Sequence, residues 1–580
     1  MSVNLPRLLR GILFFFCCGL IGSCGSFSQK TWNGPVLSYP RTQLTVESLL
    51  TADSLPLMDM SFFAQPDWAE SAKRSFTGTI TLPSTSLIFP KARAYYDGEN
   101  LFPAVRLSFF THGQSLVPTQ RYVHTVLDPN GSIWDLHLGV GKIWNEQTDG
   151  AWDRASFPFT MTDRYIGQAR NCVGTFVYQT DSISSLCIQC SQETADQNDQ
   201  QWGDIRAVLD ADFEEMPLSA ADSMHLHHSY EVQATGQIPV VSLEQIDPDH
   251  SLGNHFERSY STNASTSIGA VYLDGKLYLH PPKTHHGIYP YAAEMRHCVY
   301  SVTKSLTGAL ALMYLAERYG PEVFDALISD HVAPLADHPA WQGVTFAHAL
   351  NMATGTEGSE AFEHLAATLI LPLTQHEAME KIAGLGDYPG APGETFNYAT
   401  TNYFVLSWAL QHYVQEREGA DVHYWELVHE HVLKPIGAAH FSLLHTEEAD
   451  GQRGLPILGY GAHPTLDEAA KIARLFASNG AFEGHQLLHR KKVQEALGRT
   501  AWQGYPTQVQ HRGEYYRHGF WSTNVKVENC EVEAIFMLGY GGNYIIFLPS
   551  GAIVFRFMDE FDLDIAELVK QVETLVPSCP

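Results

Sequence analysis

The sequence predicts an α+β fold, in which a five-stranded antiparallel sheet is flanked by helices and joined to a helical lobe, and a β-rich domain precedes this unit. Three observations predict it. Asp274-Gly275 separates two strand-like runs, residues 267–272 and 276–279, as a hairpin turn does. Residues 532–558 contain three further strand-like runs with turn residues between them. Residues 320–440 carry mainly helical patterns.

The length of the chain, 580 residues, predicts more than one domain. We place a signal segment at residues 1–23, a β-rich domain of unassigned function at 24–235 and a second domain at 236–580. The β-rich assignment depends on the alternating residues 76–82 and the apolar run 105–111. The net charge of -28 argues against nucleic acid as a partner, because nucleic-acid binding requires clustered lysine and arginine.

The first 24 residues are typical of an export signal. Arg7 and Arg10 precede a short apolar run, residues 11–23, and Cys24 follows directly. Small residues before a cysteine resemble a bacterial lipobox, in which the cysteine becomes the lipidated first residue. An ordinary cleaved signal peptide is the alternative. Both interpretations predict an exported protein, periplasmic or at the cell surface, and the first adds a lipid anchor at Cys24 that holds it to the membrane.

Six cysteines follow Cys24, and an exported protein can form disulfides from them. Cys187 and Cys190 have the spacing of a redox pair. Strand-like residues surround them, however, which favours a structural bridge that could include Cys172. The sequence leaves the connectivity open.

Two groups of histidines invite a metal-site interpretation: His225, His227 and His228, and His285-His286. Neither group has an aspartate or cysteine at ligand spacing, and both lie in polar stretches. We expect solvated loop histidines, so the sequence predicts neither a metal nor another cofactor.

Ser301 and Lys304 form a Ser-x-x-Lys motif at the start of an apolar segment that continues through Leu306, Leu310 and Met313. Residues three apart lie on one face of a helix, so the amine can reach the hydroxyl. A serine hydroxyl is a poor nucleophile until a base removes its proton. The motif therefore predicts an acyl-transfer site with Ser301 as nucleophile and Lys304 as base. A capped helix start with an exposed lysine would have the same spacing.

Two further motifs follow in order: Pro392-Gly393-x-x-Phe396-x-Tyr398 and Gly539-Tyr540-Gly541-Gly542-Asn543. Together with Ser301-Val302-Thr303-Lys304 they resemble the β-lactamase-like serine hydrolases. That family includes class C β-lactamases, D-Ala-D-Ala peptidases, esterases and 6-aminohexanoate-dimer hydrolases. The resemblance covers about residues 265–575 and leaves the β-rich domain outside. It implies a β-lactamase-like fold for the second domain and covalent catalysis without a cofactor.

The resemblance also implies roles for individual residues. Ser301 attacks the substrate carbonyl, Lys304 helps to remove the serine proton, and Tyr398 shuttles a proton towards the leaving group. Backbone N–H groups at the nucleophile and near Asn543 would stabilise the oxyanion. The glycines of the third motif would let the substrate approach the strand edge closely. The implied oxyanion and substrate-binding residues are Ser301, Asn543, Thr400, Tyr540, Gly541 and Gly542.

Two positions depart from the penicillin-recognising members of that family. Thr400 stands where the family commonly has asparagine, so a hydroxyl replaces an amide. Tyr540-Gly541-Gly542 stands where those members have Lys-Thr-Gly, so no cation is present to hold a substrate carboxylate. Both departures favour the esterase and amide-hydrolase branch.

We therefore expect an exported serine hydrolase that cleaves esters or small amides through an acyl-serine intermediate. Its partner would be a small-molecule ester, amide or peptide-like substrate. The alternatives are a penicillin-recognising D-Ala-D-Ala peptidase or β-lactamase, and a non-catalytic binding protein built on the hydrolase fold. The sequence assigns no particular acyl group, no oligomeric state and no role for the β-rich domain.

Overall fold

The computed structural model describes residues 37, 41–52, 56–87, 98, 100–125, 131–192, 204–257, 266–509, 513–528, 530–558 and 562–579. The predicted signal segment, residues 1–23, and the predicted lipidation site, Cys24, lie outside these ranges. Within them, no helix combines the length and apolar character that a membrane crossing requires.

The N-terminal part of the chain is built from short antiparallel strands. They are β1 (Thr77–Leu82), β2 (Thr85–Ser86), β3 (Leu101–Phe102), β4 (Val105–His112), β5 (Ser115–Pro118), β6 (Tyr122–Val123), β7 (Trp134–Leu138), β8 (Gly141–Trp144), β9 (Asp153–Asp163), β10 (Ala169–Tyr178), β11 (Leu186–Gln192), β12 (Ile205–Leu209) and β13 (Asp212–Glu215). In the described part of the chain, eleven of them form one sheet in the order β12-β11-β10-β9-β8-β5-β4-β1-β13, and β7 pairs with both β6 and β9. Every residue of β9 and β10 is buried, which means that both faces of this central pair are covered.

The second part of the chain contains the remaining strands. They are β14 (Val240–Ser242), β15 (Thr266–Leu273), β16 (Lys276–Leu279), β17 (Lys283–Thr284), β18 (Gly287–Ile288), β19 (His445–Glu447), β20 (Arg453–Pro456), β21 (Ala481–Phe482), β22 (His485–Gln486), β23 (Tyr505–Val509), β24 (Gly513–Arg517), β25 (Phe520–Val527), β26 (Cys530–Gly539), β27 (Asn543–Phe547) and β28 (Ile553–Met558). Nine of those described form a sheet in the order β14-β16-β15-β28-β27-β26-β25-β24-β23.

The five predicted strands are the contiguous centre of this sheet, β16-β15-β28-β27-β26, and all four pairings are antiparallel. The sheet nevertheless has more strands than the five that were predicted. β25, β24 and β23 extend one edge, and β14 adds a parallel strand at the other. The hairpin between β15 and β16 has the predicted turn, with Asp274 and Gly275 both at positive φ (49° and 81°).

Helices flank this sheet and form a separate lobe between β18 and β19. The described α-helices are Val46–Thr51, Ala220–Thr235, Ser251–Phe256, Leu310–Tyr319, Ile328–His331, Phe346–Leu350, Phe362–Leu365, Gln375–Ala383, Thr401–Glu418, Tyr424–Val428, Leu466–Ala477, Arg490–Ala496 and Ile565–Leu575. Segments Lys304–Ala309, Ala366–Ile370 and His429–Leu433 are π-helical. Residues 225–228 lie within Ala220–Thr235, so the expectation that those histidines occupy a loop was wrong.

The two parts of the chain share a buried polar interface. The Asn171 side chain accepts a hydrogen bond from the Arg296 N–H (3.0 Å) and donates one to the Arg296 carbonyl (2.7 Å). The Arg296 guanidinium in turn pairs with Glu468 at 2.9 Å. Burial lowers the pKa of His463 to about 4, so its neutral imidazole donates from Nε2 to the Gly167 carbonyl at 2.7 Å. These contacts fix the N-terminal sheet against the second part.

Disulfides join residues that are close in the fold. Cys172 and Cys190 are directly opposite each other on β10 and β11 and are bonded, whereas Cys187 is a buried thiol. The Cys187–Cys190 redox pair considered from the sequence is therefore absent. A second bond joins Cys530, at the start of β26, to Cys579.

Candidate active site

A strained turn presents Ser301. Tyr300, the residue before it, is buried and has φ 44°, a left-handed conformation that is costly for a bulky side chain. The Thr303 N–H donates to the Tyr300 carbonyl at 2.9 Å, and the wide π-helical turns of Lys304–Ala309 follow before the regular helix Leu310–Tyr319 begins. Such irregular turns often occur at functional sites. This turn leaves Ser301 partly exposed, while Lys304 is 1% exposed.

The Lys304 amine contacts three oxygen atoms. Its Nζ lies 2.9 Å from Ser301 Oγ, 2.8 Å from Thr400 Oγ1 and 2.9 Å from the Gly459 carbonyl oxygen. The carbonyl can only accept a hydrogen bond. Because Lys304 is buried and makes these contacts, it is not the exposed lysine that a capped helix start would have.

Glu360 determines which way the Thr400 hydroxyl points. Its Oε2 accepts from Thr400 Oγ1 at 2.9 Å, and its Oε1 accepts from the Thr400 N–H at 2.6 Å. A hydroxyl has one proton, so Thr400 offers only lone pairs to Lys304. Both Thr400 and Gly459 thus require an N–H from the amine. In its charged form the amine donates a third N–H to Ser301 Oγ; in its neutral form it has two N–H groups and one lone pair, and the lone pair can then accept from the Ser301 hydroxyl.

Tyr398 borders the same site. The centre of its ring lies 5.0 Å from Lys304 Nζ and 5.4 Å from the ring centre of Trp521. A cation at that distance from an aromatic face is attracted to it. The Tyr398 ring would therefore stabilise Lys304 once the amine has accepted a proton. The three predicted catalytic residues, Ser301, Lys304 and Tyr398, are therefore neighbours in the fold although 97 positions separate Ser301 from Tyr398 in the sequence.

The third motif is only partly at the site. Gly539 ends β26 directly against the turn that holds Ser301, because a Cβ at this position would lie 2.1 Å from the Val299 carbonyl oxygen. Tyr540 follows, with its ring centre 5.5 Å from that of Tyr300. Gly539 and Tyr540 line the cavity in front of Ser301, and they are the residues of the third motif in that lining.

The remaining three residues of the motif are not among the described residues that line this cavity, and their contact with substrate stays a prediction. Gly541 and Gly542 form a turn at φ 82° and 93°, and a Cβ on Gly542 would lie 1.8 Å from the Asp562 carbonyl oxygen. Asn543 is fully buried, and its side chain donates to the Tyr540 carbonyl (2.6 Å) and accepts from the Met558 N–H (3.0 Å). These residues shape the loop rather than the cavity.

Ser301 opens into a cavity of about 300 Å³. Most of its wall is apolar or aromatic, and Glu360 is the charged side chain among the described residues that line it. The lining residues are Ile166, Tyr300, Ser301, Glu360, Phe362, Leu365, Ile370, Tyr398, Thr400, Tyr460, Trp521, Leu538, Gly539, Tyr540 and Leu563.

Sequence reasoning missed Glu360 and Ile166. Glu360 lies in an irregular segment before helix Phe362–Leu365 and belongs to none of the motifs. Ile166 comes from the N-terminal sheet, more than a hundred residues before the nucleophile. The described ranges contain no group of three or more histidine, cysteine, aspartate or glutamate residues arranged to hold a metal.

The chain is similar to known proteins. A family model described as Beta-lactamase matches residues 269–558, half of the chain. No curated protein matches the sequence. One similar solved structure is a penicillin binding protein from Bacillus halodurans, at 16% identity, with 57% of this chain and 98% of that chain covered and a TM-score of 0.38.

Two other solved structures are also similar. A D-stereospecific amidohydrolase from Streptomyces sp. has 13% identity, with 56% of this chain and 98% of that chain covered and a TM-score of 0.41. A D-amino acid amidase from Ochrobactrum anthropi SV3, complexed with L-phenylalanine amide, has 14% identity, 60% and 98% coverage and a TM-score of 0.39. Because the family model matches half of the length of this chain, the chain belongs to the Beta-lactamase family of serine hydrolases.

Proposed function

We propose that the protein hydrolyses esters or small amides through an acyl-Ser301 intermediate. The contact that carries this proposal is the one between Lys304 Nζ and Ser301 Oγ, 2.9 Å long, at a lysine whose other two hydrogen bonds are taken by Thr400 and Gly459. It provides a nucleophile with a base already in hydrogen-bond reach.

The reaction follows from these positions. Ser301 Oγ bonds to the substrate carbonyl carbon while its proton passes to Lys304 Nζ, and the carbonyl electrons move to oxygen. We assign the backbone N–H groups of Ser301 and Tyr540 as the oxyanion donors, because both residues line the cavity. The proton then passes, with Tyr398 as the shuttle, to the leaving alcohol or amine as its bond to carbon breaks. Water attacks the acyl-serine in the second half, releases the acid and returns the proton to Ser301.

The cavity favours substrates without a carboxylate beside the scissile bond. Its described wall holds the Glu360 carboxylate, and the Lys304 side chain lies behind Ser301 in contact with Thr400 and the Gly459 carbonyl. A penicillin or a D-Ala-D-Ala terminus would bring its own carboxylate next to Glu360, and like charges at short range are unfavourable. A neutral apolar or aromatic ester or amide fits better.

Labelling distinguishes the three candidate functions. A fluorophosphonate probe should modify the protein, and mass mapping should place the adduct on Ser301. A panel of p-nitrophenyl esters and anilides should be turned over with an initial burst, while a fluorescent penicillin should label poorly. Strong penicillin labelling would favour the penicillin-recognising alternative, and a folded protein that resists the fluorophosphonate would favour a binding role.

Glu360→Gln should reduce kcat/KM by about 10- to 100-fold. The Thr400 N–H can only donate, so the glutamine oxygen will bind it and the glutamine nitrogen will donate to Thr400 Oγ1. The Thr400 proton then turns towards Lys304 and competes with Ser301 for the amine lone pair. Hydrogen bonds to charged groups contribute about 1.5–3 kcal/mol, which corresponds to that loss in rate.

Glu363→Gln is the matched control, because Glu363 is exposed in the same segment and is not among the residues lining the cavity. It should keep wild-type kinetics. Equal rates for the two variants, measured with the same ester, would show that the carboxylate at 360 does not orient the base.

We propose further that the protein is exported and anchored at Cys24. The two disulfides support export, because such bonds persist in oxidising compartments. Cells that are fed a labelled fatty acid should incorporate the label into the wild-type protein and not into the Cys24→Ala variant. Equal incorporation by both would rule out the anchor at this position.

A further inference from the structure

The turn between β9 and β10 contributes one residue of the N-terminal part of the chain to the wall of the active-site cavity. This turn, residues 164–168, places Ile166 on the cavity wall, and Ile166 is the one described lining residue that comes from that sheet. The region matched by the family model begins at residue 269, so this part of the wall is outside it.

The turn has a fixed shape. The buried Asp163 carboxylate accepts hydrogen bonds from four successive backbone N–H groups: Tyr165, Ile166 and Gly167 on Oδ1 (2.9, 2.9 and 3.3 Å) and Gln168 on Oδ2 (2.6 Å). A carboxylate that holds four consecutive amides leaves the backbone little freedom. Ile166 is therefore held in place rather than carried on a loose loop.

The turn is also fixed to the catalytic part of the chain. The Gly167 carbonyl accepts from His463 at 2.7 Å, and the Arg164 guanidinium pairs with Glu447 at 3.0 Å with both side chains buried. Each of these contacts joins the N-terminal sheet to a segment beside the site. Their positions on both sides of Ile166 hold its side chain against the cavity.

The sheet also packs against the two segments that carry the proposed oxyanion donors. Ala169, at the start of β10, forms a buried apolar cluster with Cys298 and Tyr300, and Tyr540 packs against it. Tyr300 precedes Ser301, and Tyr540 directly follows Gly539, the last residue of β26. The N-terminal sheet thus contacts the segments on both sides of the proposed oxyanion site.

We infer that Ile166 is a specificity-determining residue and that the N-terminal sheet forms part of the substrate-binding wall. This inference rests on the proposed function. The size of the side chain at 166 limits the length of the substrate group that packs against it, in the acyl half or in the alcohol half of an ester. The chain-length preference of the enzyme is accordingly set in part by a domain outside the hydrolase unit.

Two series of esters test this inference: p-nitrophenyl esters of C2 to C10 acids, and acetate esters of C2 to C10 alcohols. Ile166→Ala removes three carbons, so kcat/KM for long chains relative to short ones should rise at least about 10-fold in one series. Ile166→Phe should shift the same ratio in the opposite direction, and Ile166→Val should lie between alanine and wild type.

Ile143→Ala is the matched control, because Ile143 is equally buried in the N-terminal sheet and is not among the cavity-lining residues. It should lower the melting temperature without moving either ratio. Unchanged ratios in the folded Ile166 variants, or an equal shift in Ile143→Ala, would overturn the inference. Fluorophosphonate labelling of Ser301 in the wild type tests the proposed function separately. Failure of the Ile166 inference can therefore be distinguished from failure of the proposed function.

Discussion

Replacement of Ser301 with alanine should abolish both probe labelling and ester hydrolysis, with kcat falling by about 10⁴-fold or more. Removal of a nucleophile leaves only the catalysis that substrate binding and the oxyanion site can supply. The fold should be little affected, because Ser301 is partly exposed and Lys304 keeps its contacts to Thr400 and Gly459. Loss of one hydrogen bond should change the free energy of unfolding by about 1 kcal/mol. Turnover of p-nitrophenyl acetate and chemical denaturation measure the two effects.

Ser305→Ala separates loss of the nucleophile from loss of any hydroxyl nearby. Ser305 lies one turn further along, is 1% exposed, and donates to the Gly519 carbonyl at 2.6 Å. Its removal leaves a buried acceptor without that donor and should cost about 1–3 kcal/mol of stability. This variant should still label. If Ser301→Ala retained the wild-type rate, the assignment of Ser301 as the residue that is acylated would be wrong.

The contact between Ser301 and Lys304 could be predicted from the sequence because the two residues are neighbours in it. Ser301 and Lys304 are three residues apart on one helical segment, so any helical winding brings them together. Tyr398 required the ordered motifs as well, since its approach to Lys304 depends on the packing of the lobe. The central five strands were predictable for the same reason, because each carries its own apolar pattern and turn.

Other parts of the site depend on tertiary structure that no local pattern encodes. Thr400 seemed to lose what the family's asparagine provides. The structure instead supplies Glu360, from a segment 40 residues earlier, which orients the hydroxyl. Likewise, Asn543 looks like a substrate ligand in the motif, but its side chain closes the turn of the third motif. Strand-edge glycines in a sequence do not reveal which of them face the cavity.

Lys304→Met should lower the acylation rate by about 10²- to 10⁴-fold, the range expected when a general base is lost. Methionine fills similar space without an amine, so the basic group in hydrogen-bond contact with Ser301 Oγ is lost. Thr400 Oγ1 and the Gly459 carbonyl would each lose a donor in a buried place, at a cost of about 1–3 kcal/mol apiece. The burst rate in single-turnover ester hydrolysis measures the acylation step directly.

Two further variants separate the chemical effect from the structural one. Lys304→Arg keeps a long basic side chain, but a guanidinium cannot be deprotonated in a protein, so this variant should be as inactive as the methionine variant. Lys471→Met removes a comparable lysine away from the cavity, which donates to the Gly437 carbonyl at 2.9 Å and pairs with Asp467 at 2.6 Å. This variant should lose stability while acylating at the wild-type rate. An arginine variant with a normal burst would show that Lys304 contributes only its charge, because the lone pair that the proposed mechanism requires would be missing.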